Sequence, residues 1–183
     1  MNEYYKQVPS EQMMDYENFY REMAENMPDG CKVAEIGISN GRGILFLASV
    51  LQEMGKRFTI YGIDSMDYGG DHQLTDILMN VFRAGYADYG VRIMRKSSLD
   101  ASCDFEDSFF DLIFIDSSHQ YEQTRAEILL WMRKCKDGGI VSGHDYFCQE
   151  HPGVQQAVKE MVPEEKLSIF ETTNGYGVWS FIK

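Results

Sequence analysis

The sequence predicts an α/β protein: an open, doubly wound, mostly parallel sheet of seven strands, with helices on both faces and an antiparallel hairpin at the end. Three observations predict it. Short apolar runs alternate with stretches whose apolar residues recur every three or four positions. The run from Phe58 to Ile63 is apolar on both faces, as in a covered parallel strand. The segment Val33 to Gly43, V-A-E-I-G-I-S-N-G-R-G, reads as strand, glycine turn and helix in that order.

Taken in order, Ser10 can cap a helix that carries Glu11 in its first turn and an apolar stripe of Met13, Tyr16, Tyr20, Met23 and Met27. The stripe suits packing onto the sheet or a substrate wall. Pro28-Asp29-Gly30 ends it, and Lys32 to Ile36 is the first strand. After the glycine turn, Ile44, Leu47, Ala48 and Leu51 form the buried face of a helix that stops near Gly55. The second strand ends at Asp64, and Ser65 to Gly70 is a loop. Leu74, Ile77, Leu78, Val81 and Phe82 mark the next helix, and Val91 to Met94 leads to Ser97-Ser98. Asp100 to Asp107 is a short acidic stretch. Phe110 to Ile115, the most hydrophobic strand, ends at Asp116. A helix with Tyr121, Ile128, Met132 and Cys135 on one side is closed by Gly138-Gly139. Ile140 to Ser142 then runs into Gly143-His144-Asp145-Tyr146. Pro152 starts a helix through Met161. The strands Leu167 to Thr172 and Tyr176 to Ile182 flank a Thr-Asn-Gly hairpin signal.

At 183 residues with no linker or repeat, one domain over 1–183 is expected, with 1–30 as an N-terminal helical segment and 31–183 as the core. No apolar run approaches the roughly 20 residues that span a bilayer, and Met1 to Pro9 lacks a signal-peptide core, so a cytoplasmic protein is expected. The four cysteines are scattered, which favours reduced thiols. A net charge of −12 without a Lys/Arg cluster argues against a nucleic-acid substrate, whose binding rests on cations.

In open parallel sheets, ligands bind beyond the carboxyl ends of the strands. Glu35, Asp64, Ser97, Ser98, Asp116, His119, His144 and Asp145 are the polar residues that this reading gathers there. Glu35 is costly at the end of a buried strand unless it has partners. The glycine spacing alone also suits nicotinamide-dependent short-chain dehydrogenases. Those carry a Tyr-x-x-x-Lys pair, and no tyrosine here has a lysine four residues on.

The motif E-I-G-I-S-N-G-R-G, the strand ending in Asp64, F-D-L-I-F-I-D and the Gly-Gly before the fifth strand together resemble a class I S-adenosylmethionine-dependent methyltransferase, a Rossmann-like fold. The resemblance covers roughly Lys32 to Ile182. The runs F-I-D-S-S-H-Q-Y-E and D-G-G-I-V-S-G-H-D-Y are similar to small bacterial methyltransferases related to macrocin and other sugar O-methyltransferases, and more distantly to catechol O-methyltransferase. The family implies S-adenosylmethionine as cofactor, held by Gly37, Ser39, Gly41 and Gly43 in the turn. Glu35 would anchor that turn or the methionine amino group, Asp64 would take the ribose hydroxyls, Ser98 would lie near the adenine, and Asp116 would border the cofactor.

The metal-using relatives hold the acceptor oxygen on a divalent ion, here Mg²⁺ or Mn²⁺ on Asp116 and Asp145. His119 is then the expected general base. One position departs: those relatives carry an acid or amide where this chain has His144. Imidazole suits zinc, iron or manganese better than Mg²⁺, so His144 is a further metal ligand, a base or substrate ligand, or a sign that no ion is used. The expected partner is a small hydroxylated, sugar-like acceptor. The core is short of sequence for a lid, which leaves an open pocket or one completed by a second subunit in a homodimer. A cofactor-binding regulatory module without transfer activity, and a nicotinamide oxidoreductase, are the alternative functions.

Overall fold

The computed structural model describes residues 2–9, 15–67 and 69–183. Seven strands form one sheet: β1 (Cys31–Ile36), β2 (Phe58–Asp64), β3 (Val91–Arg95), β4 (Phe110–Ile115), β5 (Cys135–Gly143), β6 (Ser168–Phe170) and β7 (Val178–Ile182). Their order is β3-β2-β1-β4-β5-β7-β6. The first five strands are parallel, and β7 runs antiparallel to both β5 and β6. The winding reverses between β1 and β4, and such a switch point opens a crevice at the carboxyl ends of its two strands.

The helices are α1 (Glu17–Asn26), α2 (Arg42–Glu53), α3 (Gly70–Arg83), α4 (Ser98–Ser102), α5 (Tyr121–Lys134) and α6 (Pro152–Met161). Among the described residues, none is long and apolar enough to cross a membrane. Every α2 residue from Gly43 to Leu51 is buried. Its run I-L-F-L-A-S-V-L is apolar on all sides, and a helix of that kind needs cover on all sides. The sheet covers one side. The N-terminal segment covers the other, with the Tyr5 ring packed edge-on against Phe46 at 5.1 Å. Lys56 fastens this layer by donating from Nζ to the carbonyls of Ala24, Glu25 and Met27 at the end of α1, at 2.7, 2.9 and 2.6 Å. Those carbonyls lack helical partners, and a cation suits the helix C-terminus.

One sequence reading is corrected, and two gain detail. Gly138-Gly139 does not close the helix: α5 ends at Lys134, and both glycines lie inside β5. They sit where the β4–β5 register shifts between Phe110 and Leu112, so the pair makes a bulge rather than a cap. The acidic stretch begins within a helix, α4, whose cap Ser97 accepts at Oγ from the Asp100 amide at 3.2 Å. On α3 only Ile77 and Val81 are buried, and Leu78 and Phe82 face outward. A 3₁₀ turn at Glu3–Gln7 has no counterpart in the sequence reading. The expected helix start at Ser10, Glu11 and Met13 lies outside the described residues.

Candidate active site

β1 runs straight into the turn that the glycines shape. Gly37 has φ +83°, and a Cβ there would lie 1.9 Å from the Asp116 carbonyl oxygen. The turn can therefore pass beneath the end of β4 only without a side chain. Gly41, also left-handed, precedes α2. A Cβ on Gly43 would meet Glu35 Oε1 at 2.5 Å, so the first turn of α2 rests directly on that carboxyl group.

Glu35 is buried and accepts a hydrogen bond from Tyr20 Oη at 2.6 Å. Burial outweighs that bond and, helped by the charge of Asp116, pushes the Glu35 pKa up to about 8. The sequence marked Glu35 as needing a partner, and Tyr20 of α1 is that partner.

At the end of β2, Asp64 grips the same turn. Its Oδ2 accepts from the amides of Ile38 and Ser39 at 3.0 and 3.2 Å, and its Oδ1 accepts from the Met66 amide at 2.7 Å. Oδ2 is thereby filled with two bonds, while Oδ1 keeps a further lone pair for a ligand hydroxyl. Ser39 has a positive φ of 46° and its carbonyl accepts from Gln73 of α3 at 2.9 Å.

Ser98 is buried, and its hydroxyl donates to Glu127 Oε1. The same oxygen accepts from Ser117 Oγ at 2.7 Å and Gln123 Nε2 at 3.1 Å. Glu127 thus ties the start of α4 to the loop after β4, and burial raises its pKa. The sequence reading passed over it, although it lies on the same buried face of α5 as Thr124, Ile128 and Trp131.

Beyond β4 and β5 lies a cluster of acids and histidines. Asp116 Oδ1, His144 Nδ1 and Asp145 Oδ1 converge: Nδ1 is 3.8 Å from the first oxygen and 3.2 Å from the second. The other ring nitrogen of His144, Nε2, lies 2.8 Å from Asp15 Oδ1. His119 Nε2 is 3.0 Å from Asp145 Oδ2. A carboxylate only accepts, so Nε2 carries the hydrogen in both pairs. The His119 ring stacks on His151, with centroids 3.8 Å apart. Asp145 holds a φ of +62°, the left-handed region that aspartate tolerates better than most residues.

The charges explain the shifts. Burial would lower the His144 pKa, but hydrogen bonds to Asp145 and Asp15 and the charge of Asp116 raise it to about 10. Burial likewise opposes ionisation of Asp145, yet the two histidines hold it well below the usual carboxylate range. Burial pushes Asp116 up to about 6. His119 is raised, chiefly by its bond to Asp145.

The expected residues Glu35, Gly37, Gly41, Gly43 and Asp64 thus meet in one turn, and Asp116, His119, His144 and Asp145 meet beside it. Asp15 and His151 were missed. Asp15 lies in the N-terminal segment and His151 at the start of α6, and neither is marked by a motif.

A glycine turn beneath β4, an acid at the end of β2 and a cluster of acids and histidines beside the switch point define a class I S-adenosylmethionine-dependent methyltransferase fold. The chain belongs to the family described as "Methyltransferase domain", which matches residues 34–146. A curated relative, the uncharacterized protein y4gI of Sinorhizobium fredii, is 32% identical over 88 residues; the match covers 48% of this chain and 10% of that protein. The chain thus spans about a tenth of the length of the curated relative it matches.

Among solved structures, the fold is similar to cofactor-bound Rv0187 from MTB, with a TM-score of 0.74 at 18% identity, covering 96% of this chain and 84% of that one. It is also similar to CalS11, a TDP-rhamnose 3′-O-methyltransferase of calicheamicin biosynthesis, with a TM-score of 0.67 at 16% identity, covering 91% and 76%. An rRNA methylase from Streptococcus thermophilus gives a TM-score of 0.66 at 12% identity, covering 91% and 94%.

Proposed function

We propose that the protein transfers the methyl group of S-adenosylmethionine to a hydroxyl oxygen of a small, sugar-like metabolite. The observation that carries this reading is the Asp116, His119, His144 and Asp145 cluster beside the Gly37 turn. The turn suits a cofactor that lies against bare backbone, and the cluster suits a proton that must leave an acceptor next to it.

Methyl transfer is an in-line displacement, and a neutral alcohol is a weak nucleophile until its proton leaves. His119 is the base in this reading. Asp145 fixes its tautomer by accepting from Nε2, which leaves Nδ1 to take the proton. Asp64 would receive a ribose hydroxyl on the remaining lone pair of Oδ1, while its amide contacts keep the turn in shape. Glu35 supports the turn from below, and Ser98 with Glu127 borders the adenine end.

Asp116, Asp145 and His144 also fit a divalent ion. His144 Nδ1 faces only acceptor oxygens, so a positive charge belongs on it or beside it. An ion there would supply Lewis acidity that favours loss of the acceptor's proton.

A net charge of −12 supports a small acceptor over RNA. A similar fold in a TDP-rhamnose 3′-O-methyltransferase makes nucleotide sugars the first acceptors to try. The test is label transfer from S-adenosylmethionine to nucleotide sugars, free sugars and catechols, with ribosomal RNA as the opposing arm. Labelled sugar with unlabelled RNA supports the proposal. Tight cofactor binding without transfer to any acceptor favours a regulatory cofactor-binding module instead.

A further inference from the structure

We propose that Asp15 makes His144 an imidazole ligand, so that Asp116, His144 and Asp145 hold a divalent transition ion of the Mn²⁺-to-Zn²⁺ series in preference to Mg²⁺. This rests on the metal-assisted reading above. It goes further by naming the ion class and the residue that sets it.

The first support is the tautomer. Asp15 and His144 are each only 6% exposed, and Asp15 Oδ1 lies 2.8 Å from Nε2. The Nε2 hydrogen points at that carboxylate, so Nδ1 is the ring nitrogen turned toward Asp116 and Asp145, and an ion held there would take the place of its proton. A ligating histidine almost always donates its other N–H to a carboxylate or carbonyl, which fixes the ring and raises its basicity. Asp15 is such an outer partner, supplied from a distant part of the chain.

The second support is convergence. One atom each of Asp116, His144 and Asp145 lies within 4.8 Å of the other two. His119 occupies Asp145 Oδ2 at 3.0 Å, so Oδ1 is the oxygen left for an ion.

The third is the chemistry of the donors. Two oxygens and one imidazole nitrogen suit manganese, iron, cobalt or zinc, whereas Mg²⁺ takes oxygen ligands almost throughout. His119, Asp145 and His151 form another trio within the same reach, but they do not compete. A metal binds imidazole in the ring plane, and the rings of His119 and His151 are 11° from parallel and stacked face to face. Their lone pairs cannot both aim at one ion.

The experiment reads metal binding directly. Protein stripped with EDTA and desalted is titrated with Mn²⁺, and the free-ion electron paramagnetic resonance signal is followed. The expected result is saturable uptake of one Mn²⁺ per chain, with ¹⁴N coupling from His144 in the pulsed spectrum, and no release by a hundredfold excess of Mg²⁺. The His144→Asp variant restores an all-oxygen site, and its preference for Mn²⁺ over Mg²⁺ should fall at least tenfold. Asp15→Asn should weaken Mn²⁺ binding by roughly 10–100-fold.

No uptake of Mn²⁺, or uptake without ¹⁴N coupling, overturns the proposal from the wild-type protein alone, even if a variant fails to fold. An unchanged ion preference in folded His144→Asp also overturns it. S-adenosylhomocysteine affinity, measured by calorimetry in EDTA, keeps the two readings apart. Cofactor binding without metal binding removes this inference only; metal binding with ¹⁴N coupling but without cofactor binding sustains it and removes the methyltransferase reading.

Discussion

The imidazole of His119 is held on two sides, by Asp145 at 3.0 Å from Nε2 and by the ring of His151 stacked at 3.8 Å. A side chain fixed in tautomer and in plane suits proton transfer better than helix capping, and it gives the first prediction. His119→Ala should lower kcat by roughly 10²–10⁴-fold and leave cofactor affinity nearly unchanged. A methyl-transfer assay, calorimetry and a melting curve separate the cases. A destabilised but fully active variant would refute the base assignment.

Asp64 holds the turn, and the second prediction is that it also holds the cofactor. Asp64→Ala should weaken S-adenosylhomocysteine binding at least about tenfold, because the bonds it would lose are charge-assisted. It should also lower stability by about 1–3 kcal/mol, since the amides of Ile38, Ser39 and Met66 lose their acceptor. Calorimetry and denaturant unfolding read the two effects separately. Lost stability with unchanged affinity would confine Asp64 to the turn.

Gly37 has less room than any other position in the turn. A methyl group there meets a backbone carbonyl, which cannot rotate away as a side chain can. Gly37→Ala should cost about 2 kcal/mol or more and abolish cofactor binding. Gly43→Ala should be milder, because it meets the end of the Glu35 side chain. Equal unfolding midpoints for the two variants would contradict this ordering.

Glu35 predicts a pH trend with a definite sign. Its pKa rises from an ordinary 4.5 to about 8 in the folded protein, so the fold favours the protonated form. Its contribution to stability is complete below the unfolded value and is lost as pH climbs through this window. Glu35→Gln imitates the neutral acid, and its melting temperature should fall less between about pH 5 and pH 8 than that of the wild type. Parallel pH profiles for the two proteins would show that Glu35 is ionised in the fold.

What the sequence revealed follows from locality. β4 was readable to the residue because Phe110 to Ile115 is apolar but for Asp111 and stops at Asp116. The order of strand ends then gathered Glu35, Asp64, Asp116 and Asp145 at one edge without any contact being known. Gly138-Gly139 misled because a glycine pair serves a helix cap and a bulge equally, and only pairing with β4 distinguishes them. Asp15, His151 and Glu127 were invisible or passed over for another reason. Their meaning lies in partners far along the chain, or across from another element, and no local spacing encodes that.

The pair Asp15–His144 spans 129 residues, and this separation bears on how the protein reaches its working state. Closing so long a loop costs entropy that grows only slowly with length, but the contact yields nothing until the intervening strands have joined. The charge network beside the glycine turn therefore depends on pairing between distant parts of the chain. A chain still emerging from the ribosome, or nicked before α1, can present β1 and its glycines while His144 has no tether. The cluster of Asp116, His144 and Asp145 is thus braced only in a chain whose N-terminal segment has already met the end of β5.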